Sequence, residues 1–179
     1  MKEVETILEP ETEPESESES ESESESENFV IKTPIGLLAI KIVNDELVKI
    51  ELNSKKTIQS AHSLFAKEIQ RQINGYFHNA SFKFDINLNS EGTEYQKKVW
   101  RALQDIPLSQ VMTYGELASK IDSGARAIGN ACRNNPIPLI VPCHRIVSAS
   151  GLGGFAGKLD GQLIDIKKWL LVHEGALLI

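Results

Sequence analysis

The sequence contains little cysteine, and this scarcity excludes several classes of protein. Its 179 residues include only two cysteines, Cys132 and Cys143. Two cysteines cannot build a disulfide framework or a four-cysteine zinc site, and their separation does not fit a C-x-x-C motif. We therefore expect both residues to be reduced thiols in an intracellular protein.

The sequence also lacks a long apolar segment. No run approaches the roughly 20 apolar residues that a helix needs to span a bilayer. Residues 1–5 have neither the apolar centre of a signal peptide nor the arginine-rich pattern of a transit peptide. We therefore expect no membrane association and a cytoplasmic location, or a nuclear one if the source is eukaryotic.

Positive charge is almost absent from the first 28 residues. They hold 12 glutamates against one lysine, and residues 16–27 repeat Ser-Glu six times. Such a composition has no apolar surface to offset the entropy of ordering the chain, so we expect residues 1–28 to form a disordered acidic tail. The remaining residues hold 18 basic and 13 acidic side chains, a net charge of +5. A mildly basic domain is suited to binding phosphate backbones.

Residues 29–90 have the pattern of a small α+β unit. Apolar residues between Phe29 and Leu52 are strand-like, and turns near residues 34–36 and 44–45 divide them into a meander. Residues 60–77 carry apolar side chains at helical spacing. Residues 82–88 alternate apolar and polar side chains, which predicts a half-buried strand.

The second half of the sequence predicts three short helices. Residues 93–96 and 113–116 are capping boxes, so a helix is expected to begin within each. A third helix is expected over residues 125–133. The last two helices are joined by a glycine-containing turn and form a helix-turn-helix pattern. The second of them carries Arg126 and Arg133, which fits a DNA-binding role.

Cys143 lies in a segment whose pattern favours a reactive thiol. An apolar, proline-bounded run precedes Cys143 and His144, and a glycine-rich loop follows them. This arrangement suits a nucleophile, although a small buried cysteine without a chemical role fits it too. Adjacent residues of an extended chain point to opposite sides, so His144 can reach the sulfur only through a turn or a bridging water. Cys132 is interpreted as a packing residue.

Residues 142–147, Pro-Cys-His-Arg-Ile-Val, resemble the Pro-Cys-His-Arg-Val motif of the O6-alkylguanine-DNA alkyltransferases, also called methylated-DNA–protein-cysteine methyltransferases. Further segments similar to family motifs follow the family order: residues 113–118, 125–129, 135–138 and 169–175. The resemblance covers residues 29–179 and is densest from residue 93 onward. The ordered series is more specific than the hexapeptide alone.

The resemblance implies an irreversible repair reaction. Family members transfer the alkyl group from O6 of guanine in duplex DNA to their own cysteine, which implies that Cys143 is the acceptor and acts once. In the family a water relays the thiol proton to a histidine, and a glutamate orients that histidine. The resemblance therefore implies that His144 is the base and that Glu174 orients it. By the same likeness, Asn135 ties the active-site turn in place and Tyr114 protonates the leaving base.

The resemblance also implies how DNA is bound. The target atom lies inside a base stack, so the nucleotide must be flipped out. Arg126 matches the family arginine that fills the vacancy, on a helix that the family places in the minor groove, where binding depends little on sequence. The residues implied to bind DNA are Tyr114, Ala125, Arg126, Ala127 and Arg133. Those implied to line the alkyl pocket are Val147, Phe155, Ala156 and Gly157.

For the architecture, the resemblance implies an α+β protein with two domains. A ribonuclease-H-like N-terminal domain is expected over residues 29–90, and a helical, winged-helix-like domain with the active site over residues 91–179. Some members hold zinc in the N-terminal domain, but the cysteines needed for it are missing here. We therefore expect no metal and no other cofactor. The expected partner is double-stranded DNA that carries O6-alkylguanine, with O4-alkylthymine left open, and the protein is expected to be a monomer.

Two rival functions fit part of the pattern, and a third, a cysteine hydrolase that would turn over, has no substrate that the sequence indicates. A non-catalytic relative that binds alkylated DNA would lack the reactive cysteine, so Cys143 argues against it. A transcription regulator would bind DNA through the helix pair and sense alkylation through Cys143. Such a regulator would prefer one DNA sequence, whereas repair requires little sequence preference. Repair is the main hypothesis, and the alkylation-sensing regulator is the alternative.

Overall fold

The computed structural model describes residues 25–177, so most of the predicted acidic tail lies outside the described residues. Residues 25–28, which the composition assigns to that tail, belong to the fold. The first strand begins at Ser26, three residues before Phe29. The carboxylate of Glu27 accepts hydrogen bonds from the backbone N–H groups of His62 (2.7 Å) and Ser63 (3.2 Å). The end of the Ser-Glu repeat is therefore ordered because it pairs as a strand and contacts the start of a helix.

A three-stranded antiparallel sheet forms the N-terminal part. Strands β1 (Ser26–Thr33), β2 (Gly36–Val43) and β3 (Glu46–Glu51) are paired in the order β1-β2-β3, so the predicted meander is confirmed. Asn44 and Asp45 form the second turn with φ values of 51° and 55°. Asn and Asp tolerate this left-handed conformation better than most residues, which explains why they occupy the turn.

Helix α1 (Leu64–His78) covers this sheet and contacts β1. It begins four residues later than the helical spacing predicts, because the side chain of Ser63 caps its first turn by accepting a hydrogen bond from the N–H of Ala66. Its buried residues recur every three or four positions and form the face that packs on the core; they are Ala66, Ile69, Gln72, Ile73 and Tyr76.

The prediction of a strand over residues 82–88 is wrong. The segment alternates half-buried and exposed side chains, as expected. However, it pairs with the sheet only through an isolated β-bridge between Leu47 and Leu88. The backbone N–H and C=O of Asp85 are instead hydrogen-bonded to the side-chain amide of Gln72, at 2.8 Å each. Alternating burial therefore indicates only that one face of the segment packs on the core. The Gln72 side chain provides the backbone hydrogen bonds that a partner strand would otherwise make.

The three predicted helices of the second half are confirmed. They are α2 (Glu94–Gln104), α3 (Tyr114–Lys120) and α4 (Ala125–Arg133), and both capping boxes make their two reciprocal hydrogen bonds. Helix α4 packs against α2 and α3. Between residues 25 and 177, no helix combines the length and apolar character that crossing a membrane requires.

The Cys143 segment is a tight turn. Residues 137–142 are buried or nearly so but form no strand, and Leu139 has a φ of 83°. Cys143–Arg145 then form one turn of 3-10 helix. It leads into strand β5 (Ile146–Val147), which pairs in parallel with β4 (Met112–Thr113), and helix α5 (Gln162–His173) follows. Because the chain turns here, Cys143 and His144 are not held on opposite sides of an extended strand.

Lys167 of α5 ties the glycine-rich loop to the core. Its side chain is fully buried, and its ammonium group donates to the carbonyls of Ile146 (2.6 Å), Leu152 (2.7 Å) and Gly154 (2.9 Å). Three acceptors use all the donors of the group. Burial lowers the pKa of Lys167 to about 8. The lysine thus fixes where the loop lies relative to β5.

We expect Lys167→Met to lower the free energy of unfolding by about 2–3 kcal/mol, because the variant keeps the apolar stem but leaves buried carbonyls without a donor. Chemical denaturation measures this loss, and hydrogen exchange should report faster opening of residues 152–154. Lys168→Met is the matched control, since Lys168 is exposed and should lose little. Equal stability of the two variants would contradict the role given to Lys167.

Candidate active site

A pocket of about 390 Å³ opens between α4 and the loop that follows β5. Cys143 lines it, as do six residues expected to contact DNA or the alkyl group: Tyr114, Ala125, Arg133, Phe155, Ala156 and Gly157. Val147 does not line it, because Val147 lies in β5 paired with Thr113. Arg126 and Ala127 are exposed on α4 outside the pocket lining. The structure therefore brings most of the expected site residues together around the thiol.

Asn135 holds the Cys143 turn in shape. Its side-chain N–H donates to the carbonyl of Val141 (2.8 Å) and to the Cys143 sulfur (3.2 Å), and its oxygen accepts from the N–H of Ile137 (3.1 Å). Burial raises the pKa of the Cys143 thiol, while the Asn135 hydrogen bond and the charge of Lys167 oppose that shift. A thiol whose charged form is disfavoured by burial needs a base within reach.

His144 is held in the tautomer that a base would need. Its Nε2 lies 2.9 Å from Oε1 of Glu174, and neither side chain is exposed. A carboxylate only accepts, so Nε2 carries the proton and Nδ1 keeps its lone pair. In the part of the chain that the structure describes, Nδ1 is the one buried side-chain nitrogen or oxygen without a partner. Burial lowers the pKa of His144 although Glu174 opposes this, which favours the neutral ring.

Glu174 is held as a carboxylate in spite of its burial. Arg145 donates from Nε to Oε2 (2.8 Å) and from Nη2 to Oε1 (2.9 Å). Burial disfavours the charge, but the hydrogen bonds from His144 and Arg145 outweigh it and lower the pKa of Glu174 to about 2. Arg145 is also fixed at the other side by the carbonyl of Ile106 (2.6 Å). The carboxylate is thus charged and fixed in orientation at neutral pH.

Tyr114 faces the pocket from the first position of α3, where the Thr113 capping box sets the start of the helix. Its hydroxyl donates to the carbonyl of Gly154 at 3.4 Å. Burial, with smaller contributions from the two nearby thiols, raises the pKa of Tyr114 to about 12. The phenol therefore keeps its proton at neutral pH and can act as an acid.

Close packing between the loop and α4 shapes the mouth of the pocket. Gly157 has a φ of +79°, and a Cβ at this position would lie 2.9 Å from Nε of Arg133. Glycine is therefore favoured by the backbone conformation, and a larger residue would also force the Arg133 side chain to move.

On the outer side of α4, Arg126 is exposed between two alanines, and no salt bridge in residues 25–177 holds its guanidinium.

Several contacting residues have no signal in the sequence. Cys132 is buried, as expected for packing, but it also lines the pocket. Tyr76, a core position of α1 by its spacing, donates from its hydroxyl to Glu174 at 2.8 Å. Helical periodicity reveals that such a side chain is buried, but not which distant residue it meets. Within residues 25–177, no group of three or more His, Cys, Asp or Glu side chains is arranged to bind a metal ion.

Comparison with known sequences is consistent with this geometry. Residues 94–176 match the family described as the DNA-binding domain of 6-O-methylguanine DNA methyltransferase. The chain is 39% identical over 156 residues to the methylated-DNA–protein-cysteine methyltransferase of Methanosarcina acetivorans, which covers 82% of this chain and 97% of that protein. The enzyme of that name from Mycolicibacterium paratuberculosis is 38% identical over 138 residues, 73% of this chain and 84% of that protein.

Solved structures agree in fold. The O6-methylguanine methyltransferase of Mycobacterium tuberculosis superposes with a TM-score of 0.71 at 33% identity, covering 85% of this chain and 94% of that one. The crystal structure of Mycobacterium tuberculosis OGT in complex with DNA gives a TM-score of 0.68 at 35% identity, with coverage of 82% and 91%. The match to the Methanosarcina acetivorans protein, at 39% identity over 82% of this chain and 97% of that protein, shows the family. This chain belongs to the methylated-DNA–protein-cysteine methyltransferase family.

Proposed function

We propose that this protein repairs DNA by moving an alkyl group from O6 of guanine to the Cys143 sulfur, once per molecule. The observation that carries the proposal is a thiol in a pocket, next in sequence to a histidine whose Nδ1 is unpaired. The names of the relatives describe the same transfer from methylated DNA to a protein cysteine. Double-stranded DNA that carries O6-alkylguanine is the proposed partner, and the acting form is a monomer.

Activation of the thiol is the first step. The thiolate, and not the thiol, is the nucleophile, and burial of Cys143 favours the thiol. We assign the Nδ1 lone pair of His144 as the base, with a bridging water as relay. The Glu174 carboxylate holds the opposite ring nitrogen at 2.9 Å and stabilises the imidazolium that forms. The Asn135 N–H, 3.2 Å from the sulfur, stabilises the thiolate.

Displacement at the alkyl carbon follows. The sulfur attacks the carbon, and the bond from that carbon to O6 breaks with its electron pair passing to guanine. Tyr114 gives its phenolic proton to N3 of the base, so guanine leaves neutral; its phenol is reprotonated as His144 releases the proton taken from sulfur. The product is a thioether, which does not hydrolyse under ordinary conditions, so a second turnover does not occur.

DNA must deliver the target base to the pocket. The mouth lies beside the first turn of α4, where Ala125, Arg126 and Ala127 are exposed. We assign Arg126 to the gap that the flipped nucleotide leaves, since a guanidinium can both stack and hydrogen-bond there. The small flanking alanines permit close approach to the minor groove. Arg133 at the other end of α4 adds positive charge for the phosphates.

The two-part organisation fits these roles. We assign residues 29–90, together with the three strand residues before them, to a ribonuclease-H-like N-terminal domain. We assign residues 91–179 to a winged-helix-like domain that contains the active site. The helix pair α3–α4 and the short β4–β5 pairing support the second assignment. The N-terminal sheet and α1 then serve to support the active-site turn from behind.

The first test is the stoichiometry of transfer. Incubation with duplex DNA that contains O6-methylguanine should add one methyl group per molecule, on the peptide that contains Cys143, as measured by mass spectrometry. Cys143→Ala should abolish transfer while DNA affinity changes little, because Cys143 is only 4% exposed and lies inside the pocket rather than on the outer face of α4. A methyl group on Cys132, or repeated turnover, would contradict the assignment.

A second test separates base flipping from chemistry. Arg126→Ala should slow transfer from duplex DNA about 10- to 100-fold, because flipping costs a few kcal/mol. Transfer from the free base should change much less, since no stack has to be opened. Arg71→Ala is the matched control, because Arg71 is paired with Glu68 on α1, away from the pocket. Equal losses from duplex and free base would argue against the flipping role.

The third test addresses the proton given to the leaving base. Tyr114→Phe should slow single-turnover transfer about 100-fold, a common loss for a general acid. Since the pKa of Tyr114 is raised to about 12, the wild-type rate should not decline through its ionisation between pH 6 and 10. Tyr95→Phe, at an exposed tyrosine, is the control. Transfer by Tyr114→Phe at the wild-type rate would remove Tyr114 from the mechanism.

A further inference from the structure

Tyr76 reaches the active site from the N-terminal part of the chain. It lies on α1, 98 residues from Glu174 in sequence, and is 2% exposed. Its hydroxyl is 2.8 Å from Oε1 of Glu174. A carboxylate only accepts, so the phenol is the donor. This hydrogen bond is a direct contact between α1 and the carboxylate that orients His144.

Hydrogen bonds to both the backbone and the side chain of Tyr76 fix the position of this phenol. The carbonyl of Tyr76 accepts a hydrogen bond from Nε2 of His173 at 2.8 Å, so His173 and Glu174 hold its backbone and its side chain. The ring also packs edge-on against His173, with centroids 5.2 Å apart, and lies 5.4 Å from the ring of Phe77 and 5.5 Å from that of Phe84. The hydroxyl therefore has little freedom to turn away from the carboxylate.

Oxygen Oε1 of Glu174 is shared by three donors. They are the Nε2–H of His144 at 2.9 Å, the Nη2–H of Arg145 at 2.9 Å and the hydroxyl of Tyr76 at 2.8 Å. Each donor draws electron density from the same oxygen. The strength of the hydrogen bond from His144 therefore depends on the donors from Tyr76 and Arg145. A carboxylate that attracts the Nε2 proton too strongly would favour the imidazolium, whose Nδ1 has no lone pair for the thiol proton.

We propose that Tyr76 is a positioning residue for alkyl transfer, which holds the Glu174 carboxylate ionised and in place so that His144 remains a neutral base. This inference rests on the proposed function, because it concerns how that site deprotonates Cys143. It gives the N-terminal part of the chain a role in the chemistry through one hydrogen bond. Tyr76 is not among the residues that line the pocket, and it acts through Glu174.

The expected effect on pH dependence follows from the groups around these two residues. Tyr76, His144 and Arg145 face Glu174, while Glu174, Arg145 and Lys167 face His144. Burial and the carboxylate raise the pKa of Tyr76, so it stays a donor across the working range. Loss of this donor raises the pKa of Glu174. It also lets the carboxylate attract the imidazolium proton more strongly, which raises the pKa of His144. Both shifts reduce activity on the acid side.

The test is the pH profile of Tyr76→Phe, which retains the ring and removes only the hydroxyl. Two rates are measured in full-length protein: methyl transfer from duplex DNA, and alkylation of Cys143 by iodoacetamide, read from the Cys143 peptide. In both profiles the rate falls at low pH as His144 becomes protonated, and we expect this acid limb to move up by about one pH unit in the variant. At pH values below the limb, the variant should therefore be about tenfold slower than the wild type. On the alkaline plateau the two proteins should differ by less than about threefold.

Three controls separate this role from a structural one. Tyr95→Phe removes an exposed tyrosine hydroxyl bonded to Ser123 and should leave the limb in place. In a Glu174→Gln background there is no carboxylate, so adding Tyr76→Phe should shift nothing further. Calorimetry reports stability, because a merely destabilised variant would lose active protein at every pH and keep the wild-type limb. An unshifted limb in folded Tyr76→Phe, or a shift that persists with Glu174→Gln, overturns the proposal.

A second variant keeps the test decisive if Tyr76→Phe does not fold. Site-specific 3-fluorotyrosine at position 76 is a stronger donor of the same shape, so the limb should move down in pH; no movement overturns the proposal. Failure of the proposed function has a different signature. In that case wild-type protein transfers no methyl group, while the iodoacetamide profile still responds to the change at Tyr76.

Discussion

One buried carboxylate organises the active site. Glu174 accepts hydrogen bonds from Tyr76 on α1, from His144 and Arg145 in the 3-10 turn, and lies at the end of α5. A buried charge without partners would be very unfavourable, and these donors together offset the cost of burying it. The same donors fix which nitrogen of His144 is protonated. The stability of this junction and the protonation state of His144 therefore have one physical origin.

The thiol and its surroundings balance two opposing demands. Burial favours an uncharged cysteine, while the proposed displacement at carbon requires a charged sulfur. Asn135 and Lys167 reduce the cost of that charge without removing it, since burial still raises the pKa of Cys143. In the proposed reaction, His144 takes the thiol proton only when the sulfur attacks. A thiol that burial keeps uncharged reacts more slowly with unrelated electrophiles.

Local signals in the sequence predicted local features well. The capping boxes at Thr93 and Thr113 depend on neighbouring residues, so the helices that they begin were predictable. The grouping of residues around Cys143 was implied by the family resemblance, although Val147 does not line the pocket. Features that depend on distant partners were not. The strand expected over residues 82–88 is absent because Gln72 satisfies its backbone, and nothing in the spacing of Tyr76 or Lys167 indicates the polar atoms that they meet.

The junction between the Ser-Glu repeat and β1 has a consequence for how the tail can vary in length. Glu27, the last glutamate of the repeat, accepts hydrogen bonds at the start of α1, and β1 already includes Ser26. Adding or removing whole Ser-Glu units upstream still leaves a serine and then a glutamate ahead of Asn28. The number of acidic units can thus change while the residue that meets the helix stays the same.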